Sequence, residues 1–211
     1  MMGAAKVPLS ERPLAFIDTE TTGLDPTTHE VIEVAIVKEH PDGRVEHYQS
    51  LIRPTKIELA HPKALEINGY AADPSRWLRA PGMGEVADLI VGTLRGCVLV
   101  GHNVGFDIDM LSASFKNVGW NPRLPYHKVD TVALAYEHLV PCGLESLSMD
   151  AIREFLRWET EGSHTAMKDA KDARRLYHLC NRSGKVARFL MRWGHRRRTY
   201  KTTLKAMRVK R

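Results

Sequence analysis

Cysteine is scarce in this 211-residue chain. Cys97, Cys142 and Cys180 are odd in number, widely spaced and in no C-x-x-C pair, which argues against a disulfide framework or a zinc site and for reduced thiols in or near the core. No apolar run approaches the roughly 20 residues of a membrane span. The N-terminus lacks the charged, apolar and small-residue regions of a signal sequence, so the expected location is the cytoplasm. Before residue 181 there is no internal repeat and no low-complexity stretch, and with 43% hydrophobic and 27% charged residues the chain reads as an ordinary globular domain with a real core. The last absence concerns charge of one sign. Residues 181–211 hold none of the 25 Asp and Glu but twelve of the 31 Lys and Arg, so the formal +6 resolves into −6 for residues 1–180 and +12 for the tail. The expected organisation is therefore a domain over 1–180 followed by a basic tail over 181–211.

Three stretches carry the chemistry: Phe16-Ile17-Asp18-Thr19-Glu20-Thr21-Thr22-Gly23-Leu24, His102-Asn103-Val104-Gly105-Phe106-Asp107 and His164-Thr165-Ala166-Met167-Lys168-Asp169. Leu14 to Thr21 reads as an apolar strand, and because side chains alternate along a strand, Asp18 and Glu20 project from one face. Two carboxylates in one small space repel each other, and burying even one ionised carboxylate without a partner is costly, so the pair needs a cation. Magnesium or manganese suits it, since hard divalent ions prefer oxygen ligands and retain waters beside one or two carboxylates.

In this order the three stretches resemble the motifs of the DEDDh 3′→5′ exonucleases, the group that includes the proofreading epsilon subunit of bacterial replicative DNA polymerase, ribonuclease T and oligoribonuclease. The resemblance runs from about Leu14 to about Asn181. Residue by residue it implies Asp18, Glu20, Asp107 and Asp169 as metal-binding carboxylates and His164 as the catalytic base. The sister group with a tyrosine four residues before the last aspartate does not match, because Thr165 stands there and His164 one place earlier. Asp172 is a rival for the last carboxylate, but neither Met167 nor Lys168 stands where its partner base belongs. The resemblance further implies that Asp18 bridges two ions, that Glu20 and Asp169 hold the ion with the attacking water, and that Asp107 completes the site through waters.

Between the motifs, strands Val31 to Lys38 and Val45 to Ile52 follow the first strand closely, as in an antiparallel meander. Helices are expected at Pro62 to Ile67, Glu85 to Arg95, Phe106 to Val118, Leu144 to Leu156 and Thr165 to Cys180, and a short buried strand at Cys97 to Gly101. Val129 to Ala133 reads either as a last strand or as the approach to a helix from Val132 to Leu139. Strands followed by strand and helix alternation give an α/β fold, a mixed sheet with helices on both faces. The resemblance makes it ribonuclease H-like.

Positions 164 and 169 lie five residues apart, roughly 140° of helical rotation, so His164 is expected in the loop before the helix. A histidine there, before the helix that carries Asp169, suits general-base catalysis. Thr21, Thr22 and Leu24 follow the metal pair and either grip the terminal nucleotide, as similar exonucleases do, or form a plain turn. Ile67 and Asn68 belong to a stretch resembling a substrate-side loop, with Asn68 where many relatives have histidine. Asn103 either hydrogen-bonds a phosphate or caps the helix near Phe106.

The reading that follows is a two-metal-ion 3′→5′ exonuclease acting on single-stranded or frayed 3′ ends of DNA, in proofreading or repair, with a DNA polymerase as a partner. An exoribonuclease trimming RNA and a non-catalytic nucleic-acid or polymerase-binding module are the alternatives. For the tail, solvated chain, a phosphate clamp with interleaved Phe189, Trp193 and Tyr200, and a partner-docking helix all remain open. The clamp predicts that a chain ending near Gly184 binds long single strands more weakly and with a shallower salt dependence, while cleaving very short oligonucleotides at the parental rate. Equal affinity and equal salt slope for the two chains, measured by fluorescence anisotropy, would remove the clamp.

Overall fold

A computed structural model of the chain describes residues 7–161 and 164–182. Residues 1–6, Gly162, Ser163 and the basic tail beyond Arg182 lie outside the described residues. Five strands form one mixed sheet: β1 (Leu14–Thr21), β2 (Val31–Glu39), β3 (Val45–Leu51), β4 (Val98–Gly101) and β5 (Lys128–Asp130), in the order β3-β2-β1-β4-β5. The first three strands make the expected antiparallel meander, whereas β4 and β5 run parallel to β1. β1 and β2 are buried along most of their length on both faces, which is why their apolar runs lack clean alternation. β3 has no fully buried residue and closes one edge. Beside the second carboxylate, the β1–β2 register slips by one residue between Glu20 and Thr21.

Seven α-helices complete the described chain: α1 (Pro62–Ile67), α2 (Ser75–Leu78), α3 (Met83–Leu94), α4 (Val104–Asn117), α5 (Thr131–His138), α6 (Met149–Leu156) and α7 (Ala166–Arg182). Alternation along β1 divides the work between the faces of the sheet. Ala15 and Ile17 turn to one side and pack with Val34 and Ile36 of β2 against Ile90 and Leu94 of α3 and Met110, Leu111 and Phe115 of α4. Asp18 and Glu20 turn to the other side, where Asp169 of α7 meets them and the Arg174 guanidinium of the same helix donates to Glu39 at 2.7 Å. Ala166, Ala170 and Ala173 are buried along α7, and their small side chains let its first half lie close to its neighbours.

The chain divides into two compact units, one of residues 1–130 and 161–174, the other of 131–160 and 175–211. The first holds the sheet. In the described part of the second, Ala135, Leu139, Leu144, Ile152, Leu176 and Cys180 form a separate apolar cluster. All three cysteines are free and buried, as expected.

Two readings need correction. The helix expected from Leu144 begins only at Met149, because the Ser148 hydroxyl accepts the Ala151 N–H at 3.3 Å and fixes the N-cap there. Helix α2 is absent from the sequence reading. It is a single turn with no apolar repeat, held by Trp77, which is wholly buried and donates its indole N–H to the Ile32 carbonyl at 2.9 Å. The ambiguous stretch near Val129 resolves into both alternatives, a three-residue strand leading directly into α5.

Candidate metal centre

Three of the four predicted carboxylates come together. Asp18 and Glu20, two residues apart on β1, and Asp169, from the first turn of α7, each offer an oxygen, and these oxygens lie within 4.8 Å of one another. Asp107 arrives differently. It sits in the first turn of α4 and is almost fully buried, and its Oδ1 accepts both the backbone N–H of Thr19 at 2.8 Å and the Thr19 hydroxyl at 2.7 Å. Thr19 lies between Asp18 and Glu20 in sequence, so the residue on the opposite face of β1 ties α4 to the carboxylate pair.

Burial and mutual repulsion make this cluster unfavourable in isolation. The Asp18 carboxyl is pushed well above the usual carboxylate range by burial and then by Asp107, Asp169, Glu20 and Glu33. Glu20 is raised to about 8, first by burial and then by Asp169, Glu33 and Asp107. Asp107 is raised to about 7 by burial, against the lowering effect of the two Thr19 hydrogen bonds. A converging all-oxygen donor set with such unbalanced charge fits a hard divalent cation, which would neutralise it. Asp172, the rival, is occupied elsewhere in α7 by an ion pair with Lys168.

His164 lies outside α7, as its spacing requires, with the left-handed φ of +63°. Asn103 also has a left-handed φ, +67°, and holds the N-cap position of α4 without a side-chain cap bond, which corrects the capping alternative. Its own N–H donates to Asp130 Oδ1 at 3.0 Å.

The loop after β1 is braced rather than loose. The Thr21 hydroxyl donates to the Gly23 carbonyl at 2.8 Å, and the Thr22 hydroxyl accepts the Glu30 N–H at 2.9 Å. A Cβ on Gly23 would meet the His29 ring at 2.4 Å, so this position has no room for a side chain. Asn68 is buried and uses both ends of its amide, donating to the Thr21 carbonyl at 3.0 Å and accepting from the Tyr70 N–H at 3.1 Å. It therefore supports the loop from behind. Leu24 and Ile67 expose apolar side chains, 81% and 44% accessible, and with exposed Asn103 are the predicted contact residues open to solvent.

One acidic residue escaped the sequence reading. Glu33 on β2 stands opposite Glu20 in the strand register and is 3% exposed. Its signal was a lone charge inside the fully buried run of β2, where burial without a partner is costly.

A model of the RNase_T family, described as exonuclease, matches residues 15–177. A DNA polymerase III of PolC type from Thermotoga maritima is 35% identical over 156 residues, 74% of this chain but 11% of that protein. The DNA polymerase III subunit epsilon of Treponema pallidum is 27% identical over 160 residues, covering 76% of this chain and 72% of its own. Escherichia coli exonuclease I, solved in complex with a dT13 oligonucleotide, superposes with a TM-score of 0.68 at 19% identity over 80% of this chain and 40% of that one. The fold is thus ribonuclease H-like. Among the described residues, no helix is long and apolar enough to cross a membrane.

The raised carboxyls set a pH dependence for the metal-free protein. Glu20 near 8 and Asp107 near 7 hold protons in the folded state that an unfolded chain, with pKa values of about 4, has already lost. That stabilisation is complete below about pH 4 and disappears as pH rises through about 7 to 8, by about 1.4 kcal/mol per pH unit for each proton retained. In EDTA the melting temperature is expected to fall between pH 5 and pH 8, and added magnesium to raise it more at pH 8 than at pH 5. A metal-free melting temperature that does not change with pH would contradict the clustering.

Proposed function

Because this chain belongs to the RNase_T family of exonucleases, we propose that it is a DEDDh-type 3′→5′ exodeoxyribonuclease that removes nucleotides from single-stranded or frayed 3′ ends of DNA. The observation that carries this reading is the convergence of Asp18, Glu20 and Asp169, with Asp107 tied to the same strand through Thr19. The names of the relatives support DNA over RNA as substrate and a DNA polymerase as partner, for they are polymerase III proteins. Such a role belongs in the cytoplasm with bacterial DNA. The proposed organisation is a catalytic domain over 1–180 with residues 181–211 as an accessory basic tail.

Asp18, Glu20, Asp107 and Asp169 would hold two divalent ions, magnesium or manganese. When bound, such ions supply Lewis acidity, an activated water and charge stabilisation at the leaving oxygen. The chain's own contributions are separable. Asp18 lies beside Glu20 and Asp169, and the family resemblance implies that it would bridge the two ions. A ring nitrogen of His164 accepts a proton from the attacking water, whose oxygen forms the new bond to phosphorus while the bond to the 3′ oxygen of the preceding nucleotide breaks. The products are a nucleoside 5′-monophosphate and a strand shorter by one residue with a free 3′ hydroxyl. Leu24 and Ile67 supply apolar surface for the terminal base, and the main chain of Thr21 and Thr22, held by Asn68 and Glu30, lines its approach. Asn103 supplies an amide to a substrate phosphate.

Digestion of matched 5′-labelled DNA and RNA strands with magnesium or manganese tests polarity, sugar preference and metal need together. A ladder shortening from the 3′ end of DNA is expected; preferential loss of RNA would assign the enzyme to RNA trimming instead. Asp18→Asn is expected to abolish cleavage while circular dichroism stays parental, and parental cleavage by that variant would refute the metal assignment. His164→Ala should lower kcat by roughly 10²- to 10⁴-fold with strand affinity nearly intact. A change confined to affinity would make His164 a binding residue.

A further inference from the structure

Away from the carboxylates, the loop between α4 and β5 borders two adjoining clefts. One, of about 950 Å³, lies against the end of α3 and is lined by Arg95, Trp120, Arg123, Leu124 and Tyr126 among others; the second, of about 470 Å³, shares Leu124 and Tyr126 and adds Lys128. No acidic residue lines either. The loop is anchored at both ends. The Trp120 N–H donates to the Phe115 carbonyl at 3.0 Å, the two rings meet edge-on at 5.6 Å, and the His127 carbonyl accepts the Leu99 N–H at 2.9 Å. Between those ends Pro122 and Pro125 restrict the backbone further. Trp120 and Leu124 pack on the core beside the sheet, whereas Tyr126 projects outward, 89% accessible.

Arg95, Arg123 and Lys128 are exposed, and among the described residues their side chains have no hydrogen-bond or ion-pair partner. On a body whose residues 1–180 carry a net −6, these cations around an apolar cleft make a local positive patch that attracts anions. The basic tail, which holds no acidic residue, cannot be what fills it. An anionic occupant also meets an exposed phenol ring and an indole, the combination of cations and aromatic faces that suits single-stranded nucleic acid. We propose that this face is a second strand-binding surface, on which bases stack against Tyr126 and the phosphates beside them meet Arg95, Arg123 and Lys128. The exonuclease reading supplies only the identity of the strand, DNA running back from the 3′ end held at the carboxylates. Register gives the separation: Lys128 pairs with Leu99 and Leu99 with Ala15, three residues before Asp18, so roughly 10 Å along the strands and roughly 10 Å across them divide the two regions. At about 3.4 Å per stacked nucleotide, a strand needs at least a handful of nucleotides to reach both.

Two variants of the full chain separate stacking from charge. Binding is read in EDTA by fluorescence anisotropy, with a long oligothymidylate and with an abasic strand of equal length, which keeps the phosphates and lacks the bases. Tyr126→Ala is expected to weaken the oligothymidylate about 5- to 100-fold and to leave the abasic strand at parental affinity, as lost stacking requires. Arg95→Gln combined with Arg123→Gln should weaken both strands and flatten the logarithmic salt dependence by about 1.4, about 0.7 for each phosphate contact. Circular dichroism should stay parental in both variants, since all three side chains are exposed. Parental affinity of Tyr126→Ala for the oligothymidylate, or an equal loss on both strands, would overturn the proposal. Displacement of the strand by oligoglutamate of equal charge would overturn it in favour of an acidic protein segment, and variants that alter only self-association in sedimentation would do so in favour of a second copy. Because this readout needs no cleavage, a parent that binds through Tyr126 but degrades no nucleic acid would refute the exonuclease reading and leave the surface standing.

Discussion

Repulsion between carboxylates at the end of β1 is the constraint around which the remainder is built. Half-buried Asp18, Glu20 and Asp169 and buried Asp107 and Glu33 lie close together, and each raises the free energy of ionising Asp18 or Glu20. A fold holds such a group only if its surroundings are rigid enough to stop the charges from moving apart. The rigidity has identifiable sources. β1 is the middle strand of the sheet, paired along its whole length with β2 and at its start with β4. α4 is pinned by Asp107 on Thr19, and α7 by the Arg174 and Glu39 pair at its far side. The same rigidity serves catalysis, because groups that are already placed need no rearrangement when the charge of the transition state develops.

Much of this was legible in the sequence because the relevant periodicities are short. Asp18 and Glu20 share a face by the period-two rule, and the strand holding them is found with the bounds expected. The five-residue interval between His164 and Asp169 cannot fit one helical stripe, and His164 indeed stands outside α7 with a left-handed backbone. The antiparallel start of the sheet followed from the closeness of its first three strands. What periodicity could not reach is contact between distant segments. Glu33 sits in VIEVAIVK, where its neighbours announce a buried strand and nothing local shows that Gln49 will meet it. The single-turn α2 depends on Trp77 finding the Ile32 carbonyl, 45 residues away in sequence. The start of α6 was misread for a local reason, since Leu144 and Leu147 belong to the apolar cluster without being helical.

Residue type also misleads where one side chain can serve two ends. Asn68 occupies a substrate-side position by resemblance, yet both ends of its amide are used within the protein, on Thr21 and Tyr70. It acts on the loop and, through the loop, on whatever Leu24 and Ile67 touch. Asn103 shows the converse. Its place at the head of α4 looks like a cap, but the backbone at that point is left-handed and its amide N–H, rather than its side chain, makes the bond to Asp130.

The contact between Gly23 and His29 has an evolutionary reading. The absent Cβ of Gly23 leaves 2.4 Å to the imidazole ring, and that ring is itself held by the Asp25 N–H at 3.0 Å. Drift at position 23 is closed for as long as an imidazole occupies position 29. Homologues that lose the histidine are therefore the ones in which the glycine becomes free to vary, and the two sites should change together along a lineage, with the smaller ring or side chain at 29 arriving first.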